Sequence, residues 1–371
     1  MSTALIFTLL LTAAAEDAPL KWERIKISDA TFEAASAFDV NKDGNIDIVS
    51  GGFWYPGPDF KASHKIDDIR MEGDYYDDFS NNPMDVNGDG YLDIITGGWF
   101  GESFQWRENP KGGTGEWTTH TVAHTGNIER NVLHDLDKDG TPEVFSTTNP
   151  VHFFKLNPET NGFDQFTLTD ALGGHGLGVG DVDGDGVEDL LFATGWMKAP
   201  ANPFDTTGYQ KFETWNMGMA SVPILLHDVD EDGDLDVLYG QGHAFGLFWL
   251  ERNGDPTVKE SWTRRDIEAK RSQFHDIQLH DIDNDGALEL VTGKRWRAHP
   301  TGDPGGEDPL GVYYYKNDKG TWTRHTLDYG PAGEHSGVGI YFWVEDVDGN
   351  GWKDIVAPGK DGLFLFKNLG K

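Results

Sequence analysis

The nonamer "DVDGDGVED", residues 181–189, places five carboxylates within nine positions. Like charges so close repel one another, so the stretch needs a counter-charge to hold it. The pattern occurs seven times, with Asp at position 1, Asp or Asn at positions 3 and 5, Gly at 6 and Asp or Glu at 9. The first three copies carry Asp39, Asn41, Asp43 and Asp47; Asp85, Asn87, Asp89 and Asp93; and Asp135, Asp137, Asp139 and Glu143. The fourth and fifth carry Asp181, Asp183, Asp185 and Asp189, then Asp228, Asp230, Asp232 and Asp236. The last two carry Asp281, Asp283, Asp285 and Glu289, then Asp346, Asp348, Asn350 and Asp354. Alternate oxygen donors around a sharp glycine turn suit a hard cation, and Ca2+ fits best. An EF-hand would need Glu at position 12 and flanking helices, whereas Ser50 stands there in the first copy and the flanks read as strands ("IDIVSGG", "LDIITGG"). These are therefore expected to be calcium loops between β-strands, holding up to seven structural ions.

The copies start 46 to 65 residues apart. A unit of that length with about four short strands is a propeller blade. The innermost strand runs into each loop and the second runs out of it. The third is marked by "GLFWLERN", "GVYYYKN" and "GLFLFKN", and the outer one by "EWTTHTVA", "SWTRRDIE" and "TWTRHTLD". The outer-strand pattern also appears at the start, as "LKWERIKIS" from Leu20, while the seventh unit lacks one of its own. The sequence thus predicts an all-β, seven-bladed β-propeller over residues 20–371, with Lys21–Ile27 closing the ring and removing an exposed sheet edge. The seven loops resemble FG-GAP/VCBS-like repeats. That resemblance implies the fold and calcium, but its adhesion modules and enzymes leave function open.

Residues 1–15 read as a secretory signal peptide, an apolar run ending in Ala13-Ala14-Ala15. The expectation is a secreted or periplasmic protein. There are no cysteines, so the staples are not disulfides. A net charge of −33 argues against nucleic acid or membrane insertion as the business of this chain; seven Ca2+, at two charges each, would bring it to −19.

The chemistry is expected on the rim away from the calcium loops. His175 and His275 each precede their loop by six residues, as do Glu33 and Glu129. Six strand residues span about 20 Å, which puts all four near the opposite rim. The connections between second and third strands reach the same rim. They are expected to bring Trp54, Trp99, Trp196, Lys198, His243, Lys294, Arg295, Arg297 and His299 toward the axis, with His335 just ahead of the last inner strand. Flat aromatic rings suit sugar C–H faces, and His, Lys and Arg suit proton transfer and developing oxyanions.

The long insertion "GKRWRAHPTGDPGGEDPLGVYYY" (Gly293–Tyr315) and the His-bearing inner strands resemble the propeller domain of the aldos-2-ulose dehydratases, which eliminate water from keto-sugars. Members of that family continue into cupin-like domains, so any step those domains supply is expected either to be absent or to come from a partner protein. What the resemblance implies is a carbohydrate lyase or dehydratase acting by β-elimination. The family's catalytic residues do not map one by one, so the roles rest on the rim geometry: His175 or His275 would be base, Lys294 with Arg295 would hold the enolate, and His335 or His243 would be the acid. Trp54, Trp99, Trp196, Arg297, His299, Glu33 and Glu129 would contact the sugar. The residues leave open whether the histidines instead hold a catalytic divalent metal at the axis. They also leave open whether the chain is a lectin-like or adhesion propeller without chemistry, or a scaffold.

Overall fold

The computed structural model describes residues 19–147, 150–172 and 175–371. The signal-peptide stretch 1–15 lies outside them. Seven four-stranded antiparallel sheets follow one another along the chain. In the first blade Ser36–Phe38 is innermost, followed outward by Asp47–Ser50, Phe53–Tyr55 and His64–Lys65. The same order holds for the blades whose inner strands are Asn82–Met84, Asn131–His134, Leu177–Gly180, Leu225–His227 and Ile277–His280. In the seventh, Trp343–Glu345, Asp354–Gly359 and Gly362–Asn368 come from the end of the chain, while the outer strand is the N-terminal Trp22–Ser28. That strand pairs antiparallel with Gly362–Asn368, Trp22 opposite Asn368.

Period-two alternation explains why the sheets stack. In Asp189–Phe192, Leu190 packs back toward the third blade and Leu191 forward toward the fifth. Among the described residues, seven apolar clusters result, one between each pair of neighbouring blades. Trp54 belongs to the cluster between blades one and two, and Trp196 to that between four and five. A further staple recurs at the rim that carries the nonamers. Asn109, Asn317 and Asn368 each reach the carbonyl of position 2 in the preceding blade's loop, at 3.0, 2.6 and 2.8 Å, and Arg252 does the same at 2.8 Å.

The nonamers connect first and second strands, all on one rim. Their position-6 glycines take φ between 87° and 95°, a region closed to residues bearing a Cβ, which is why that position is invariant across the copies. Position 9 is a second fixed point. In the first loop Asp47 accepts from the backbone N–H of Val40 at 2.9 Å and of Gly57 at 2.8 Å, tying the loop to its third strand. No helix among the described residues is long and apolar enough to cross a membrane.

Candidate functional site

Opposite the nonamers, the ends of several blades enclose a cavity of about 220 Å3. Tyr75, Phe79, Trp99 and Phe100 form its aromatic side; Glu129, His175, His243, Arg295 and His299 form its polar side. The residues six positions ahead of the loops do converge. Glu129, just before the third inner strand, contacts His175 Nε2 through Oε2 and lies 3.2 Å from His275 Nδ1 through Oε1. Glu33 receives Arg295 as a two-pronged pair, Nε to Oε1 at 2.7 Å and Nη2 to Oε2 at 3.0 Å. The third nitrogen, Nη1, lies 3.2 Å from His275 Nε2 and 3.8 Å from Glu129. A guanidinium can only donate, so His275 accepts at Nε2 and carries its proton on Nδ1, toward Glu129 and the Ser221 hydroxyl at 3.2 Å.

This wiring fixes the electrostatics. Burial alone would raise the Glu129 carboxyl, yet His175 and His275 hold it well below the usual carboxylate range. Burial opposes a charge on His175, but Glu129 outweighs it and pushes that imidazole up. Burial, then the Arg295 charge, drives His275 well below an ordinary histidine. His243 is lowered by burial, although Asp303 stands 3.2 Å from its Nδ1. His299 stacks on His243 with centroids 4.3 Å apart and shares the same Asp303, at 3.0 Å.

Two sets could hold a cation: Glu129, His175 and His243, and His243, His299 and Asp303. In each, one donor atom per residue lies within 4.8 Å of the others. On the opposite rim Asp135, Asp137 and Glu143 meet the same measure, as do Asp181, Asp183 and Asp189, and Asp228, Asp230 and Asp236.

Several expected residues lie elsewhere. His275 is 1% exposed and stands behind Glu129 and Arg295, off the cavity wall, so it orients groups that line the cavity. Trp54 and Trp196 are third-strand residues buried between blades, because the chain reverses within two residues, at Gly51–Gly52 and Ala193–Thr194; neither is a sugar platform. The same reversal carries Lys198 to the nonamer rim, where it pairs with Asp183 and Asp185. Lys294 is buried inside its own insertion. Its ammonium donates to the carbonyls of Gly306 at 2.9 Å and Arg295 at 3.2 Å, and burial lowers its pKa to about 8. His335 lies in the connection after the outer strand Thr321–Gly330, bonded to Asp328 of that strand at 2.5 Å, and Asp328 in turn accepts from Arg24 of the seventh blade's outer strand at 2.7 Å. Arg297 is off the cavity wall and pairs with Asp74 at 3.2 Å.

Tyr75 and Asp303 were not foreseen. Tyr75 comes from a two-stranded excursion (Met71–Glu72 with Tyr75–Tyr76) and donates its hydroxyl to the Ala298 carbonyl at 2.5 Å. Lys360 caps its ring at 3.8 Å, and burial raises its pKa to about 12. An acid in the Gly/Pro-rich part of the insertion was the one available sign of Asp303.

Comparison with known proteins agrees on the repeats. A model of the FG-GAP-like repeat matches residues 85–146, 135–192 and 228–292. No curated protein sequence matches the chain. Among solved structures, an exotype rhamnogalacturonan lyase superposes with a TM-score of 0.48 at 13% identity, over 94% of this chain and 73% of that one. An Agrocybe aegerita lectin described as recognising non-reducing terminal N-acetylglucosamine gives 0.46 at 15% identity, over 91% and 89%. An auxiliary nutrient binding protein from Bacteroides ovatus gives 0.48 at 8% identity, over 94% and 77%.

Proposed function

We propose that this ring of FG-GAP-like repeats is a secreted or periplasmic carbohydrate lyase or dehydratase, working by β-elimination on a small sugar that bears a carbonyl. The observation that carries the reading is the convergence of one carboxylate, three imidazoles and one guanidinium on a single aromatic-walled cavity. At about 220 Å3 it is below the roughly 300–1,000 Å3 of drug-sized sites, which suits one sugar ring. The resemblance of Gly293–Tyr315 to the aldos-2-ulose dehydratases supports the same class.

His243, oriented through Nδ1 by Asp303, offers Nε2 as the base for the proton beside the carbonyl. The C–H electron pair moves into the enolate, whose oxygen faces the Arg295 charge that Glu33 fixes in place. The C–O bond then breaks and the departing oxygen takes a proton from His175, bonded to Glu129. His243 and His175, with centroids 5.0 Å apart, exchange the proton back. Trp99, 37% exposed at the mouth, is the sugar platform. Trp99→Ala is expected to raise KM about fivefold with kcat within twofold, the worth of one stacking contact at roughly 1 kcal/mol.

A second reading has its own observation, the donor set of Glu129, His175 and His243. One oxygen and two imidazole nitrogens fit a borderline divalent cation, which when bound there would polarise the substrate carbonyl as a Lewis acid. The nonamers would hold structural Ca2+ on the far rim.

The test is incubation of the purified protein with keto-sugars and uronate oligosaccharides, following the ultraviolet absorbance of the unsaturated product. Absorbance growth that stops in Glu129→Gln is the expected result. Sugar binding without turnover across the panel would replace the lyase by a lectin-like propeller.

A further inference from the structure

The seven nonamers differ in what faces them. On each third strand, one residue directly follows the partner of the second-strand residue after position 9. The pairs Val144↔Phe154, Leu190↔Met197, Leu290↔Tyr315 and Ile355↔Phe366 fix this position as Lys155, Lys198, Lys316 and Lys367. The pairs Ile48↔Tyr55, Ile94↔Arg107 and Val237↔Leu250 fix it as Pro56, Glu108 and Glu251.

The lysines stand where a metal would. Lys155 Nζ lies 2.8 Å from Asp137, 2.6 Å from Asp139 and 3.0 Å from Glu143, positions 3, 5 and 9 of its loop. Lys198 bonds Asp183 and lies 2.5 Å from Asp185; Lys316 bonds Asp283 and lies 3.3 Å from Asp285. Lys367 lies 2.8 Å from Asp348. The other three loops have no such ammonium. Among the described residues, no Lys or Arg pairs with the position 1, 3, 5 or 9 carboxylates of the loops starting at Asp39 and Asp228. In the loop starting at Asp85 the partner is Lys111, 68% exposed and 3.7 Å from Asp89. Glu108 leans toward that loop, accepting from Asn87 Nδ2 at 3.3 Å. Arg252 is taken by Asp234, at position 7.

An ammonium paired with two or three carboxylates of its loop, or with one in the case of Lys367, already supplies a positive charge there and uses oxygens a hard cation requires. A divalent ion entering such a loop must expel it, breaking those bonds against like-charge repulsion. Where Pro or Glu holds the third-strand position, that obstacle is missing and the carboxylates are left uncompensated.

We propose that the ring takes three hard divalent cations rather than seven, in the loops starting at Asp39, Asp85 and Asp228, while its own lysines neutralise the other four. This is independent of what the cavity on the opposite rim does. The test is a count of bound calcium after EDTA stripping and equilibrium dialysis of the full mature chain against Ca2+, read by mass spectrometry of the metal. Three ions per chain are expected. Asp230→Ala should lower the count to two, Asp183→Ala should leave it at three, and Lys198→Met should raise it to four. A wild-type count other than three, a drop on Asp183→Ala, or folded Lys198→Met without a fourth ion would overturn the proposal. Circular dichroism identifies which variants are folded, and the two Asp variants decide the matter where Lys198→Met is not.

Discussion

Arg295→Met is expected to lower kcat/KM for elimination by about 10³-fold, with most of the loss in kcat. Removing one oxyanion-stabilising donor costs about 10²–10³ in other enzymes. Here the same side chain also sets its neighbours. Its Nε and Nη2 are committed to Glu33, and Nη1 faces His275 Nε2 at 3.2 Å, so the proton of His275 is kept on Nδ1 toward Glu129. The variant loses the positive charge on the cavity wall and leaves Glu33, 5% exposed, without its partner. Arg295→Lys keeps the charge and loses the fork, since an ammonium cannot reach two carboxylate oxygens and an imidazole in one plane. It should recover about tenfold over Arg295→Met without approaching wild type. Steady-state kinetics on all three proteins, with melting temperatures alongside, checks this. Turnover in folded Arg295→Met within tenfold of wild type would remove the guanidinium from the chemistry.

The nonamers were legible because Asp, Asn and Gly recur in them at fixed offsets, and a local pattern repeated seven times marks seven equivalent turns, each joining a first strand to a second. The offset argument carried further. Counting six residues back from Asp39, Asp135, Asp181 and Asp281 located Glu33, Glu129, His175 and His275 on one rim, where Arg295 ties them together. It could not say which of them face the cavity, because that depends on side-chain direction at strand ends. His275 turned inward. The tryptophans misled for a different reason. Glycine followed closely by Trp fits a loop bearing an aromatic, but two-residue reversals at Gly51–Gly52 and Ala193–Thr194 leave Trp54 and Trp196 already inside the third strand. Composition made the Gly293–Tyr315 insertion conspicuous, yet it cannot separate Arg295, which enters the cavity, from Lys294, which braces the loop from within. Tyr75 comes from an excursion outside the four-strand repeat, and no periodicity pointed to it.

Arg130→Met is expected to destabilise the folded ring by about 3–5 kcal/mol, the usual cost of leaving a buried charge without its partner. Arg130 precedes the third inner strand and Asp276 the sixth, so their contact crosses the axis between non-adjacent blades. Arg130 also donates to the Val222 carbonyl at 3.2 Å and lies over the Tyr341 ring at 4.5 Å. The other oxygen of Asp276 accepts from Gln278 at 3.0 Å and from the Phe342 backbone at 3.1 Å. Asp276 is fully buried, and burial raises its pKa even though Arg130 opposes the shift. Without Arg130 the folded-state value must climb further, while the unfolded value stays near 4. A carboxyl whose folded pKa lies above its unfolded one binds more protons in the folded state between the two values. Its destabilising effect is therefore full at high pH and fades as pH falls through the folded pKa. The deficit of Arg130→Met should accordingly be smaller at pH 5 than at pH 8, and the double variant with Asp276→Asn should recover more than half of it at pH 8. Urea unfolding of wild type and the two variants at the two pH values gives the answer. A deficit below 1 kcal/mol at pH 8, or one that grows on acidification, would mean that the pair does not hold the blades across the axis.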